Sequence, residues 1–213
     1  MYDYFLFDLD GTIVDSGLGI TNSVMYALKK WNIEVGDRTE LYRFVGPPLY
    51  ESFEKFYGFS KEDAIKAVEA YREYYREKGV LEYELYEGIA DTLKELKARG
   101  KKIILATSKP EVFATMILKH SGLFELFDFI AGATLDGSLI KKEDVIAYAL
   151  KGVGNVDTKK AVMVGDRSHD IMGAHMNGID SVGVTYGYGS REELAGENAT
   201  YIIDKATDIL NFT

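Results

Sequence analysis

The sequence predicts an α/β fold: a mostly parallel sheet with helices on its faces, and a helical insert after the first strand. Three observations carry the prediction. From residue 89 onward, short apolar runs alternate with amphipathic segments, the rhythm of βαβ units. One further apolar run, in YFLFDLDGTIVD, lies far upstream of the others. The stretch between them, about 16 to 82, has helical periodicity and no convincing strand.

Taken in order, residues 4–9 read as a buried strand ended by a glycine turn. Residues 18–31, LGITNSVMYALKKW, read as an amphipathic helix. A loop at Gly46-Pro47-Pro48 precedes a short helix, and 61–78 form a longer one. Ser60 with Asp63 is a variant capping box for that helix. Residues 89–99 read as a helix stopped by Gly100, KIILAT as a strand, 111–120 as a helix and FDFIAG as a strand. Then come a helix at 142–151, the strand AVMVGD, a helix at 169–177 and the strand SVGVT. A shorter helix at 191–195 and a strand at 200–203 finish the pattern. The expected plan is a core of 1–15 and 83–213 with a helical cap domain, 16–82, acting as a mobile lid beside the first strand.

Composition narrows the function classes. The 213 residues are 46% hydrophobic and 28% charged, a mixture able to bury a core. There is no cysteine, which excludes disulfides, thiolate metal sites and a cysteine nucleophile. No apolar run approaches the ~18 residues of a membrane span, and no signal-peptide pattern opens the chain. The expectation is a cytoplasmic protein without a membrane partner. A net charge of -9 argues against a nucleic-acid partner. It permits a small anionic ligand, because a metal and a few lysines reverse the field locally. Oligomeric state is not legible.

In sheets of this kind ligands bind beyond the carboxyl ends of the strands. The first strand delivers Asp8 and Asp10, two residues apart and so on one side if strand geometry persists. Like charges beside a core call for a cation, a shared proton or water. KIILAT ends in Thr107, followed by Ser108 and Lys109; AVMVGD ends in Asp166, with Asp170 four residues on. Lys141 and Lys142 open the helix between them. This set suits phosphoryl transfer. Carboxylate oxygens hold a hard cation such as Mg2+, and the cation neutralises phosphoryl charge. One aspartate attacks phosphorus, forming an aspartyl-phosphate; the second protonates the leaving oxygen and later activates water. Thr107 and Lys142 would bind phosphate oxygens, with Lys142 also holding Asp8. Gly11, Ser108, Lys109 and Arg43 complete the expected substrate-binding set, with a solvated surface role the alternative for Arg43.

Simpler readings compete at other positions. His169-Asp170 lacks the further histidines of a His-Asp metal site, and His120 and His175 read as helix-packing residues. GVTYGYG, 183–189, is not GxGxxG and reads as a loop near the crevice.

FDLDGTIVD, IILATS, a lysine in KKEDV and VMVGDRSHD resemble, in that order, the four motifs of the haloacid dehalogenase-like hydrolase superfamily. The resemblance implies a three-layer Rossmann-like core spanning the chain. SGLGI and FVGPPL resemble cap segments of the phosphoglycolate phosphatase-like branch. It further implies that Asp8 is the nucleophile and Asp10 the acid/base. Asp8, the backbone carbonyl of Asp10, and Asp166 would bind Mg2+, with Asp170 in support. Glu143 replaces the proline that usually follows the third-motif lysine, which leaves Lys141 as the alternative to Lys142. The implied activity is a Mg2+-dependent phosphatase acting on a small phosphorylated metabolite, phosphoglycolate first and a nucleoside monophosphate second. A sugar phosphomutase would pass the phosphoryl group to sugar instead of water. A receiver-like signalling module shares the phospho-accepting aspartate, but needs neither Asp10 nor so long an insert.

Overall fold

The computed structural model describes residues 1–154 and 156–213. Its elements separate into two units, Met1–Asp15 with Leu85–Thr213, and Ser16–Glu84. In chain order, β1 (Tyr4–Phe7) and the two-residue β2 (Val14–Asp15) come first. The second unit holds α1 (Gly17–Lys29), a 3-10 segment at Arg38–Phe44, α2 (Leu49–Tyr57) and α3 (Lys61–Glu77). After β3 (Glu84–Leu85) come α4 (Ile89–Ala98), β4 (Lys102–Pro110), α5 (Glu111–His120) and β5 (Phe129–Ala133). Then follow α6 (Lys142–Val153), β6 (Ala161–Gly165), α7 (Ser168–Met176), β7 (Asp180–Val184), α8 (Arg191–Gly196) and β8 (Tyr201–Ile203). Among the described residues, no helix is long and apolar enough to cross a membrane.

The core sheet runs β5-β4-β1-β6-β7-β8, with every neighbouring pair parallel. Parallel strands are covered on both faces, which is why YFLF, AVMVG and IILA are apolar throughout rather than alternating. On one face Val145, Ile146, Ala149 and Ala174, from α6 and α7, pack against Leu6, Ile104, Ala131 and Met163. Register then decides what lies at the sheet's edge. Phe7 stands opposite Leu105 on one side and Val164 on the other. Asp8 comes one residue past that row, and Thr107 and Asp166 two past it, so all three gather at one edge of the sheet, Thr107 still paired with Gly132 of β5. The strand order also turns about β1, which makes this edge the crevice where such folds take ligands.

Two details depart from the sequence pattern. β4 continues past Thr107 to Pro110, with its pairing to β5 slipping register between those residues. His120 and His175 occupy exposed helix positions, and His175 Nε2 lies 3.4 Å from the buried Ser181 Oγ of β7.

The Ser16–Glu84 unit has its own core. Phe44 packs edge-on against Phe53 and Phe56, and Phe53 stacks on Phe59. Arg43, expected at a substrate, is exposed and lays its guanidinium 4.4 Å from the Phe56 ring centroid. At the start of α3 the Ser60 hydroxyl accepts the Asp63 amide at 3.1 Å, as the capping pattern required. Gly19 of α1 meets the chain near Gly79 so closely that a Cβ there would lie 2.0 Å from the Gly79 carbonyl oxygen. Backbone cannot yield as a side-chain tip would. Gly19→Ala is therefore expected to destabilise the chain by about 1–3 kcal/mol through overpacking, as measured by urea denaturation. An unchanged midpoint would show that the approach is not tight.

Candidate active site

Lys142 is the first residue of α6, and its side chain is 4% exposed. Its Nζ lies 2.7 Å from Asp8 Oδ1 and 2.8 Å from Asp170 Oδ1, and donates to the Ala106 carbonyl oxygen at 3.0 Å. Of the three N–H donors of an ammonium, two bond to Asp8 and the Ala106 carbonyl, and Asp170 Oδ1 lies in ion-pair contact. Lys141, one residue earlier, is exposed. Of the two lysines left open by the sequence, Lys142 is the one that reaches Asp8.

The acids come from separate elements. Asp8 follows β1, and its amide donates to the Val164 carbonyl at 2.9 Å. Asp166 follows β6 and is fully buried. Asp170 sits in the first turn of α7 and reaches back to accept the Arg167 amide at 3.1 Å, which accounts for its four-residue spacing from Asp166. Oxygens of Asp8, Asp166 and Asp170 lie within 4.8 Å of one another. Gly11 makes room for them. Its φ of +85° suits glycine, and a Cβ there would fall 2.2 Å from Asp166 Oδ2. That same oxygen accepts the Tyr188 amide at 2.8 Å, while Asp166 Oδ1 is buried with no hydrogen-bond partner among the described residues.

Burial pushes the Asp8 and Asp166 carboxyls above the usual carboxylate range, and the neighbouring acid Asp170 adds to the rise. Around Asp8 the Lys142 ammonium opposes it, as does a hydrogen bond with Thr107. For Lys142, burial favours the neutral amine, but the carboxylates of Asp170 and Asp8 outweigh it and keep the group an ammonium. One ammonium does not balance three acids in so small a space. A hard, oxygen-seeking cation fits the remainder: the donors are all carboxylate oxygens, and Asp166 Oδ1 waits unpaired among them.

Asp10 does not join this cluster. β1 ends at Phe7, and the chain turns so that the Leu9 carbonyl accepts the amides of Ile13 and Val14 at 2.9 and 3.0 Å. Strand geometry therefore does not persist to Asp10, and its carboxylate diverges from that of Asp8. It pairs with Lys109 Nζ, at 2.9 Å through Oδ1 and 2.7 Å through Oδ2. Lys109, expected to bind substrate, is paired here with this aspartate. Thr107 is buried at the same strand end, and Ser108 is half-buried beside it.

Sequence reasoning missed the contribution of the GVTYGYG loop. Besides the Tyr188 amide on Asp166, the Tyr188 hydroxyl donates to Asp15, and the Tyr186 hydroxyl to the Thr12 carbonyl at 3.1 Å. It missed Glu193 as well, which accepts the Ser168 amide at 2.8 Å and Arg167 Nε at 3.0 Å, bracing the start of α7. Only the density of glycines after a strand hinted at the loop.

The raised carboxyls make stability depend on pH and on a cation together. An acid whose folded pKa exceeds its unfolded value, near 3.8, stabilises the fold at low pH and loses that contribution as pH climbs through the folded value. Mg2+ should therefore raise the melting temperature of cation-stripped protein more at about pH 8 than at about pH 5. Equal shifts at both would contradict the reading.

Comparison with known proteins agrees with this geometry. The model of the haloacid dehalogenase-like hydrolase family matches residues 5–184. A 5'-nucleotidase of Pseudomonas aeruginosa is 42% identical over 94% of this chain and 90% of its own. The tyrosine-protein kinase PtkA of Mycobacterium tuberculosis is 40% identical over 95% of this chain and 68% of its own. A crystal structure described as a predicted phosphatase from Clostridium acetobutylicum superposes with a TM-score of 0.94 at 47% identity, covering 99% of both chains. The chain belongs to the haloacid dehalogenase-like hydrolase family, as an enzyme of its phosphatase group.

Proposed function

We propose that the chain is a Mg2+-dependent phosphatase that hydrolyses a small phosphomonoester through an aspartyl-phosphate on Asp8. The observation that carries this reading is the Asp8 carboxylate, held by Lys142 at a strand end within reach of Asp166 and Asp170. A carboxylate nucleophile has to be ionised, aimed and screened from other acids. Lys142 and Thr107 aim it. Asp8 and Asp166, with Asp170 in support and the Asp10 carbonyl that the family resemblance adds, would hold the Mg2+. When bound, Mg2+ neutralises charge on the phosphoryl oxygens and keeps Asp8 ionised.

The chain's own groups then divide the reaction. An Asp8 oxygen forms a bond to phosphorus as the bond to the leaving oxygen breaks, and Asp10 supplies that oxygen with a proton. Asp10, now ionised, takes a proton from a water that attacks phosphorus, and the bond to Asp8 breaks to release inorganic phosphate. The Ser16–Glu84 unit is the segment we assign to substrate choice. The identity with a 5'-nucleotidase favours a nucleoside monophosphate as substrate. Phosphoglycolate is the alternative from the resemblance of the cap segments. A phosphate-release screen over nucleoside monophosphates, phosphoglycolate and sugar phosphates tests the choice; release from none of them would refute the phosphatase reading.

Activity should vanish on chelation and return with Mg2+. Asp8→Asn should abolish both phosphate release and acid-stable labelling of the protein by radioactive substrate. Asp10→Asn should slow alkyl esters by about 10²-fold or more, and p-nitrophenyl phosphate far less, since that leaving group needs little protonation. Near-normal kcat in Asp8→Asn would remove Asp8 as nucleophile.

A further inference from the structure

We propose that Lys109 is a positioning residue for Asp10, holding its carboxyl group so that, once protonated, the acid meets the leaving oxygen in one orientation. The inference rests on the phosphatase reading above. Both hydrogen bonds recorded on the Asp10 carboxylate come from this one ammonium, at 2.9 and 2.7 Å. The pair is nearly buried, with side chains 5% and 11% exposed, so water does not loosen it. Asp10 itself sits in a turn outside the sheet, where backbone pairing alone leaves its side chain free to rotate.

Local backbone explains how the lysine gets there. The register of β4 against β5 slips between Thr107 and Pro110, and irregularities of this kind re-aim side chains at sheet edges. The Lys109 amide donates to Thr107 Oγ1 at 3.2 Å. Thr107, which hydrogen-bonds Asp8, and Lys109, which holds Asp10, are thereby locked to each other. The site carries two parallel clamps: Lys142 on Asp8 and Lys109 on Asp10. A buried ion pair is a weak stabilising device compared with apolar packing. Its placement on the residue that has to meet a leaving group points to orientation rather than to stability.

The test compares Lys109→Met and Lys109→Arg with the unaltered chain on glycerol phosphate and on p-nitrophenyl phosphate, alongside crystal structures. Lys109→Gln replaces the methionine variant should that one fail to fold. In Lys109→Met, kcat on glycerol phosphate is expected to fall about 10–100-fold with KM within about twofold. Its kcat on p-nitrophenyl phosphate should fall less than about threefold, Lys109→Arg should recover most of the loss, and the Asp10 carboxylate should leave its position in the crystal. A rise in KM on both substrates at constant kcat would overturn the proposal in favour of a phosphate ligand. Equal losses on both substrates without recovery by arginine, or an unmoved Asp10, would overturn it in favour of structural support. If the unaltered chain releases phosphate from neither ester, the substrate found in the release screen takes the place of glycerol phosphate; if that screen finds none, the phosphatase reading fails, and the crystal comparison alone decides whether Lys109 positions Asp10.

Discussion

One buried ammonium holds this site together. Lys142 ties the end of β1 and the middle of β4 to the first turn of α7, through Asp8, the Ala106 carbonyl and Asp170. Carboxylates at the ends of apolar strands are costly to bury, and pairing offsets that cost only when every donor and acceptor is matched. Lys142 meets it with two hydrogen bonds and an ion pair to Asp170. It does not fully satisfy the acids, and the imbalance it leaves is where the chemistry begins.

Four carboxylates, Asp8, Asp10, Asp166 and Asp170, face two clamping lysines, so two negative charges remain. A divalent cation would supply the matching charge, and an incoming phosphoryl group would then meet a field that is no longer repulsive. The overall charge of -9 is therefore no guide to what the crevice attracts. Sheet register makes the arrangement possible. Because Phe7, Leu105 and Val164 share a row, three chain segments distant in sequence bring residues one or two positions further on, Asp8, Thr107 and Asp166, to one edge. The approach of Gly11 to Asp166 then brings the turn after β1 against the end of β6.

Much of this was legible in the sequence, and the reason is physical. The core strands are buried on both faces, so their apolar runs are unbroken. The α5 segment, 111–120, carries a clear helical period and begins just after Pro110. By contrast, the 3-10 segment at Arg38–Phe44 spans too few residues to show a period. The separation of Asp10 from Asp8 was hidden, because alternation applies only while a strand lasts, and β1 stops at Phe7. The choice of Lys142 over Lys141 needed the phase of α6. The Asp10–Lys109 pair joins residues 99 apart, a partnership spacing does not reveal. The Tyr188 amide on Asp166 was unreadable for a simpler reason: every residue except proline carries a backbone N–H, so identity does not mark the donor.

The central claim is that Asp8 accepts the phosphoryl group beside a cation held by the neighbouring acids. A crystal structure grown with Mg2+ and beryllium fluoride, which mimics a phosphoryl group on a carboxylate, tests it most directly. The account predicts beryllium bonded to an Asp8 oxygen and Mg2+ at about 2.0–2.1 Å from oxygens of Asp8 and Asp166. Beryllium on Asp10, or Mg2+ bound away from Asp166, would contradict it.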